Sequence, residues 1–251
     1  MKCAFSRLLL MLSAATVPVI AAAAESMVLV PGDASVDGSF LQPYSNVWLY
    51  TARKPGGETK IQGLWTDQLQ FVQRDGKRLL QRVQGTVYAD GRTTSIVNVF
   101  DPKTMTPVES RLYGIDGSLL TRKFDGARIV STKAQAGVTE ERGEAQLERA
   151  PYDFSGGMYG LLIATLPLRT HADLQLADVD EFENKARSAQ IHVDRQEWVQ
   201  AGARGKVHAW VATSNTPDYA MTFYVTRDAP YVIRLDMHKV DGGVDLRWEM
   251  L

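Results

Sequence analysis

The chain reads as mainly β: one curved antiparallel sheet, or partly closed β-barrel, wrapping a single short apolar helix. Three observations carry that expectation. Asp-Gly recurs at Asp75-Gly76, Asp90-Gly91, Asp116-Gly117, Asp125-Gly126 and Asp241-Gly242, and the dipeptide suits hairpin turns because both positions tolerate positive φ. The pieces between these turns are rich in β-branched and aromatic residues and alternate in polarity. Val207, Ala209 and Val211 fall on one face, for example, and His208 and Trp210 on the other. Strands joined by hairpins, with no helices between them, imply antiparallel pairing.

Taken from the N-terminus, residues 1–24 read as an export leader. Lys2 and Arg7 give a basic start, Leu8 to Ile20 is apolar or small throughout, and Ala22-Ala23-Ala24 offers a cleavage site before Glu25. The apolar run is short for a membrane span. Cys3 precedes it, so cleavage would leave a chain without cysteine, held together by burial and not by disulfides. The formal net charge is −1, and losing Lys2 and Arg7 makes the balance slightly more acidic. No basic excess is available to hold nucleic acid or anionic headgroups by charge alone. Residues 25–45, with Pro31-Gly32-Asp33 and Asp37-Gly38-Ser39, form an irregular lead-in with room for one short strand at Met27–Val30.

Residues 46–251 form one β-rich domain. Strands are expected near Val47–Arg53, Gly63–Arg74, Lys77–Tyr88, Thr93–Phe100, Pro107–Tyr113, Leu119–Phe124 and Ala127–Thr132. The polar stretch Lys133–Arg149 reads as a solvated turn or edge. Strands resume near Asp173–Leu176, Ala189–Val199, Gly205–Ser214, Tyr219–Thr226, Tyr231–Lys239 and Val244–Leu251.

One stretch breaks the pattern: "SGGMYGLLIATLPL", Ser155 to Leu168. Ser155 is placed to cap a helix, Phe154 and Tyr159 have hydrophobic-staple spacing, and Pro167 ends the helix. With no charged side, such a helix is buried on most sides. Gly156, Gly160 and Ala164 form a smooth strip suited to close contact with the sheet. The bulkier Met158, Leu161 and Thr165 are the expected ligand-binding residues, bordering whatever cavity exists. Plain core packing is the competing use of the same helix.

The pieces "YDFSGGMYGLLIATLPL", "QEWVQAGARGKVHAWVA" and "MTFYVTRDAPYVIRLDM" resemble in pattern an uncharacterised exported bacterial family. Its members look like the open β-barrels of the periplasmic lipoprotein carriers LolA and LolB. Pro230 and Arg234 fall where that pattern has a proline and an arginine-bearing strand. The resemblance covers roughly Asn46–Leu251 and implies a periplasmic, lipid-handling shape. It supplies no catalytic residues.

Catalytic motifs do not appear. There is no Gly-x-Ser-x-Gly elbow and no Ser-x-x-Lys, and Gly202-Ala203-Arg204-Gly205-Lys206 has the wrong spacing for a phosphate loop. His171, His192, His208 and His238 form no compact ligand pair in sequence. His192 and His208 sit on strands that could pair around a metal, but lone histidines on strands are usually satisfied or solvated, so no metal and no cofactor are expected. Asp178-x-Asp180-Glu181-x-Glu183 lacks calcium-loop spacing and reads as a solvated turn. The expected function is a non-enzymatic, exported binding module for a lipidic or apolar ligand in the cell envelope. The alternative is an assembly protein whose sheet surface binds another envelope protein and which has no ligand cavity.

Overall fold

The computed structural model describes residues 27–180, 183–216 and 218–251, so the expected leader lies outside the described residues. Fifteen strands follow in chain order. The first nine are β1 (Met27–Leu29), β2 (Tyr44–Arg53), β3 (Thr59–Arg74), β4 (Lys77–Tyr88), β5 (Thr93–Phe100), β6 (Pro107–Tyr113), β7 (Leu119–Asp125), β8 (Arg128–Gln135) and β9 (Val138–Gln146). After α1 (Met158–Thr165) come β10 (Ala172–Val179), β11 (Ala186–Gln200), β12 (Lys206–Asn215), β13 (Tyr219–Val225), β14 (Val232–Lys239) and β15 (Asp245–Met250).

All fifteen join one sheet in the order β1-β10-β11-β12-β13-β14-β15-β2-β3-β4-β5-β6-β7-β8-β9. Its two ends, β1 and β9, do not pair, so the curved sheet stays open and does not close into a barrel. Neighbours are antiparallel except β1, which lies parallel to β10. The topology explains the helix. β9 ends at one edge and β10 begins beside the other, so residues 147–171 must cross the sheet. The helix in that crossing packs on β13 and β14. The face it covers is called the inner face below.

Local chemistry sets the strand limits. Asp75 and Gly76 both sit at positive φ, 49° and 74°, and hand β3 directly to β4. β4, β5 and β6 begin and end where the alternation places them. β3 starts earlier than expected, at Thr59, because its hairpin with β2 continues past a bulge at Tyr50/Thr51. The stretch expected as a turn or edge contains β9, an edge strand. Val138–Arg142 is exposed throughout, and charge on an open edge discourages pairing with another chain.

The helix start differs from the expected cap. Ser155–Gly157 forms a 3₁₀ turn, and Gly157, at φ 78°, precedes α1. Ser155 makes no cap; its hydroxyl and backbone N–H both donate to Asp153 Oδ1, at 2.5 and 3.1 Å. A carboxylate two residues upstream is the stronger acceptor and takes the local donors for itself. The staple does form: the Phe154 and Tyr159 rings stack with centroids 3.8 Å apart. Leu166, before Pro167, is extended at φ −75° and ψ 162°, as the proline ring requires of its predecessor. Every residue of α1 is buried. A Cβ on Gly160 would stand 2.8 Å from Val232 Cγ2, so the close approach of helix and sheet depends on glycine there.

Candidate functional site

A polar row crosses the inner face beneath the helix start. Cross-strand register aligns Arg82, Asn98, Ser110, Arg122 and Ser131 on β4 to β8. All five are buried. Arg82 grips Asp67 with Nε and Nη2, at 2.8 and 2.6 Å, and its Nη1 donates to the Gly157 carbonyl at 3.0 Å. The Tyr44 hydroxyl also donates to Asp67, at 3.0 Å. Arg122 is less well served. Its Nη1 donates to Ser155 Oγ at 3.3 Å and stands 3.5 Å from Asp153 Oδ1, while Nε and Nη2 are buried without partners. Asn98 donates to the other Asp153 oxygen at 3.3 Å. These pairs anchor the crossing segment to the sheet, and saturation of the Arg82–Asp67 pair suits it to holding shape.

A second buried cluster ties α1 to β10. Tyr159 donates to Asp178 Oδ2 at 3.0 Å, and Arg187 pairs with the same carboxylate at 2.6 Å. Burial pushes the Asp178 carboxyl up to about 7, against the opposing pull of Arg187 and the Tyr159 hydrogen bond. Asp178 therefore belongs to the core at the end of β10, not to a solvated turn; Asp180 and Glu183, further on, do form one.

A wide concavity lies along the same inner face, towards the β2–β3 hairpin. A basin of about 580 Å³ is lined by Tyr50 and Ala52 on β2, Tyr219 on β13 and Leu246 on β15, with Lys54, Lys60 and Lys239 at its rim. Glu58 is the one rim carboxylate lining it. Lys239 pairs with Asp241 at 2.8 Å; Lys54 and Lys60 have no ion-pair partner among the described residues. Further in along the same strands, a cavity of about 40 Å³ is walled by Trp48, Trp65, Trp248 and Leu235 and closed by the glycines of the helix start, Gly157 and Gly160. Tyr50, which lines the basin, stacks on Trp248, which lines the cavity, with centroids 4.5 Å apart. Gln84 Oε1 and Trp248 Nε1 are buried there without partners. Chemically, this is an apolar, aromatic trough with cations at its mouth, within the volume range of small-molecule sites.

The expected ligand-binding residues sit elsewhere. Met158 reaches only a cavity of about 10 Å³, room for a single water at most, with its sulfur 3.9 Å from Arg82 Nη1. Leu161 and Thr165 are sealed at 0% and 1% exposure, and Thr165 Oγ1 donates to the Leu162 carbonyl. Gly160 packs on the sheet as expected, yet it also borders the inner cavity, because a missing side chain leaves room that a bulky one fills. The tryptophans of the trough share a phase on β2, β3 and β15 with Tyr50 and Leu246, and that phase is the signal the sequence offers. The polar row is hidden in the sequence for a similar reason. Each member shares its strand's inward phase with an apolar neighbour, as Arg82 does with Leu80.

His192 does not approach a metal partner on β12: its cross-strand partner there is Thr213, while His208 faces Trp198. It meets His171 instead, with ring centroids 6.4 Å apart. No protein-family model matches the chain, and no curated protein and no solved structure matches it.

Proposed function

We propose that the chain is an exported, non-enzymatic binding module of the cell envelope. It takes an amphipathic ligand whose apolar part lies in the trough of Tyr50, Leu246 and Trp248 and whose anionic end meets Lys54 and Lys60. The observation that carries this reading is the basin of about 580 Å³ on the helix-bearing face, with a tryptophan-walled cavity further along the same strands. Apolar walls with a few placed charges are the usual make-up of a small-molecule site. Export rests on the leader-like composition of residues 1–24. The carrier-like pattern of the strands and helix supports a lipidic guest.

Native mass spectrometry of protein recovered from its own envelope, followed by lipid extraction, tests the proposal. The expected result is one acyl-bearing adduct per chain, lost in Ala52→Trp, which fills the basin. A bare chain mass from gently isolated protein contradicts it. A second reading, an assembly surface, draws on one observation. Leu64 and Val87 pair across β3 and β4 with 44% and 52% of their surfaces exposed, near Val47 at 40%. That reading gains if the recovered protein carries a stoichiometric protein partner and no lipid.

A further inference from the structure

We propose that His171, His192 and Asp194 bind a divalent transition-metal cation, with Asp173 as the residue that positions His192. One ligand atom from each of the three lies within 4.8 Å of the others. Two come from β11 and one from the turn that leads into β10, and none of them lines the basin. His192 and Asp194 alternate on β11, and the register of β11 with β12 shifts between Val193 and Arg195, so Asp194 stands at a bulge. Bulges re-aim side chains. His171 closes the turn into β10 at φ 59°, a conformation unusual for a residue with a side chain, and its backbone N–H donates to the Val193 carbonyl at 2.7 Å. The turn is thereby fastened to the backbone between the other two ligands.

His192 carries the signature of a metal-ready imidazole. Asp173, its cross-strand partner, stands with Oδ1 2.7 Å from His192 Nδ1. A proton on Nδ1 shared with that carboxylate leaves Nε2 with its lone pair outward, the arrangement in which a second carboxylate fixes a metal-binding histidine. Arg195 holds one oxygen of Asp194, and the carboxylate keeps its other oxygen for the ion. Two imidazoles and one carboxylate suit zinc or a neighbouring first-row cation, and three protein ligands leave a fourth position open to water. Tetrahedral ligands at about 2.1 Å from zinc stand roughly 3.4 Å apart. The three ligand atoms, within 4.8 Å of one another, have to draw closer to reach that spacing, and the His171 ring is exposed and free to turn. The site offers too few oxygens for calcium or magnesium.

Calorimetric titration of the tag-free chain with Zn²⁺ tests the proposal, alongside the thermal midpoint with and without metal. The expected result is one Zn²⁺ per chain and a midpoint raised by Zn²⁺ but not by Ca²⁺ or Mg²⁺. His171→Ala and His192→Ala should each weaken binding at least tenfold. Asp173→Asn should weaken it by about 10–100-fold while all three ligands remain. His208→Ala should bind as wild type does. The metal-free midpoints identify any variant that has lost its fold, and a surface site predicts that none has. No saturable Zn²⁺ binding by the wild-type chain overturns the proposal. So does wild-type affinity in the His171→Ala/His192→Ala double variant.

Discussion

Replacing Arg82 by methionine tests how the crossing segment is held to the sheet. The Asp67 side chain has no exposed surface, and Arg82 engages both of its oxygens. Methionine fills much of the arginine's volume but leaves the carboxylate with only the Tyr44 hydroxyl and strips the Gly157 carbonyl of its donor. Breaking a buried pair from one side costs about 3–5 kcal/mol, out of a total domain stability of about 5–15. Arg122→Met is the informative comparison. Asp153 keeps the Ser155 N–H, the Ser155 hydroxyl and Asn98, and two unpartnered buried nitrogens, Nε and Nη2, disappear with the guanidinium. Its cost should be smaller by at least about 1 kcal/mol. The double variant Arg82→Met/Asp67→Leu should be more stable than Arg82→Met alone, because no orphaned charge remains. Equilibrium urea unfolding at neutral pH, followed by tryptophan fluorescence and circular dichroism, gives the three values. An Arg122→Met loss equal to or larger than that of Arg82→Met would refute the reasoning, as would a double variant weaker than the single one.

Other outcomes follow from the same contacts. Gly160→Val should destabilise by about 1–3 kcal/mol through overpacking, since even a Cβ there meets Val232 at 2.8 Å; an unchanged urea midpoint would mean that helix and sheet are not in close contact. Leu162→Asp puts a charge where 2% of the side chain is exposed, and the chain should be largely unfolded or degraded; a thermal midpoint within a few degrees of wild type counts against a buried helix. Asp178 titrates near 7 when folded, against its ordinary 3.8. The folded state thus holds this proton more tightly, so the group's contribution is full below about pH 4 and is lost as pH rises to about 7. Asp178→Asn cannot titrate, so its stability should decline less than wild type over that interval; parallel profiles would show that burial does not hold the proton.

Most strands were legible in the sequence because their two signals are local. Asp75-Gly76 and its counterparts fix where strands end, and period-two alternation fixes what lies between. Apolarity and Pro167 revealed the helix in the same way. What the sequence hid was non-local. That β9 and β10 lie near opposite edges follows only from the strand order, and with it the reason the helix is wrapped. The polar row is a register effect: Arg82, Asn98, Ser110, Arg122 and Ser131 are far apart in sequence and become neighbours only when five strands align. His171 and His192 are separated in the same sense, and a turn geometry at His171 brings them together. The expectation for Met158, Leu161 and Thr165 rests on bulk and on the adaptability of a long side chain such as methionine. Bulk also fills space: the basin of about 580 Å³ is lined by strand and hairpin residues and none from the helix, and the helix glycines border only the cavity of about 40 Å³.

Titration of the chain with a fluorescent fatty-acid probe bears most directly on the central claim, that the basin on the helix-bearing face receives an amphipathic guest. Saturable uptake at micromolar probe is predicted. Ala52→Trp should weaken it about tenfold, equivalent to about 1.4 kcal/mol, while its thermal midpoint stays within a few degrees of wild type. No saturable uptake by the wild-type chain, or equal uptake by a folded Ala52→Trp, would contradict the claim.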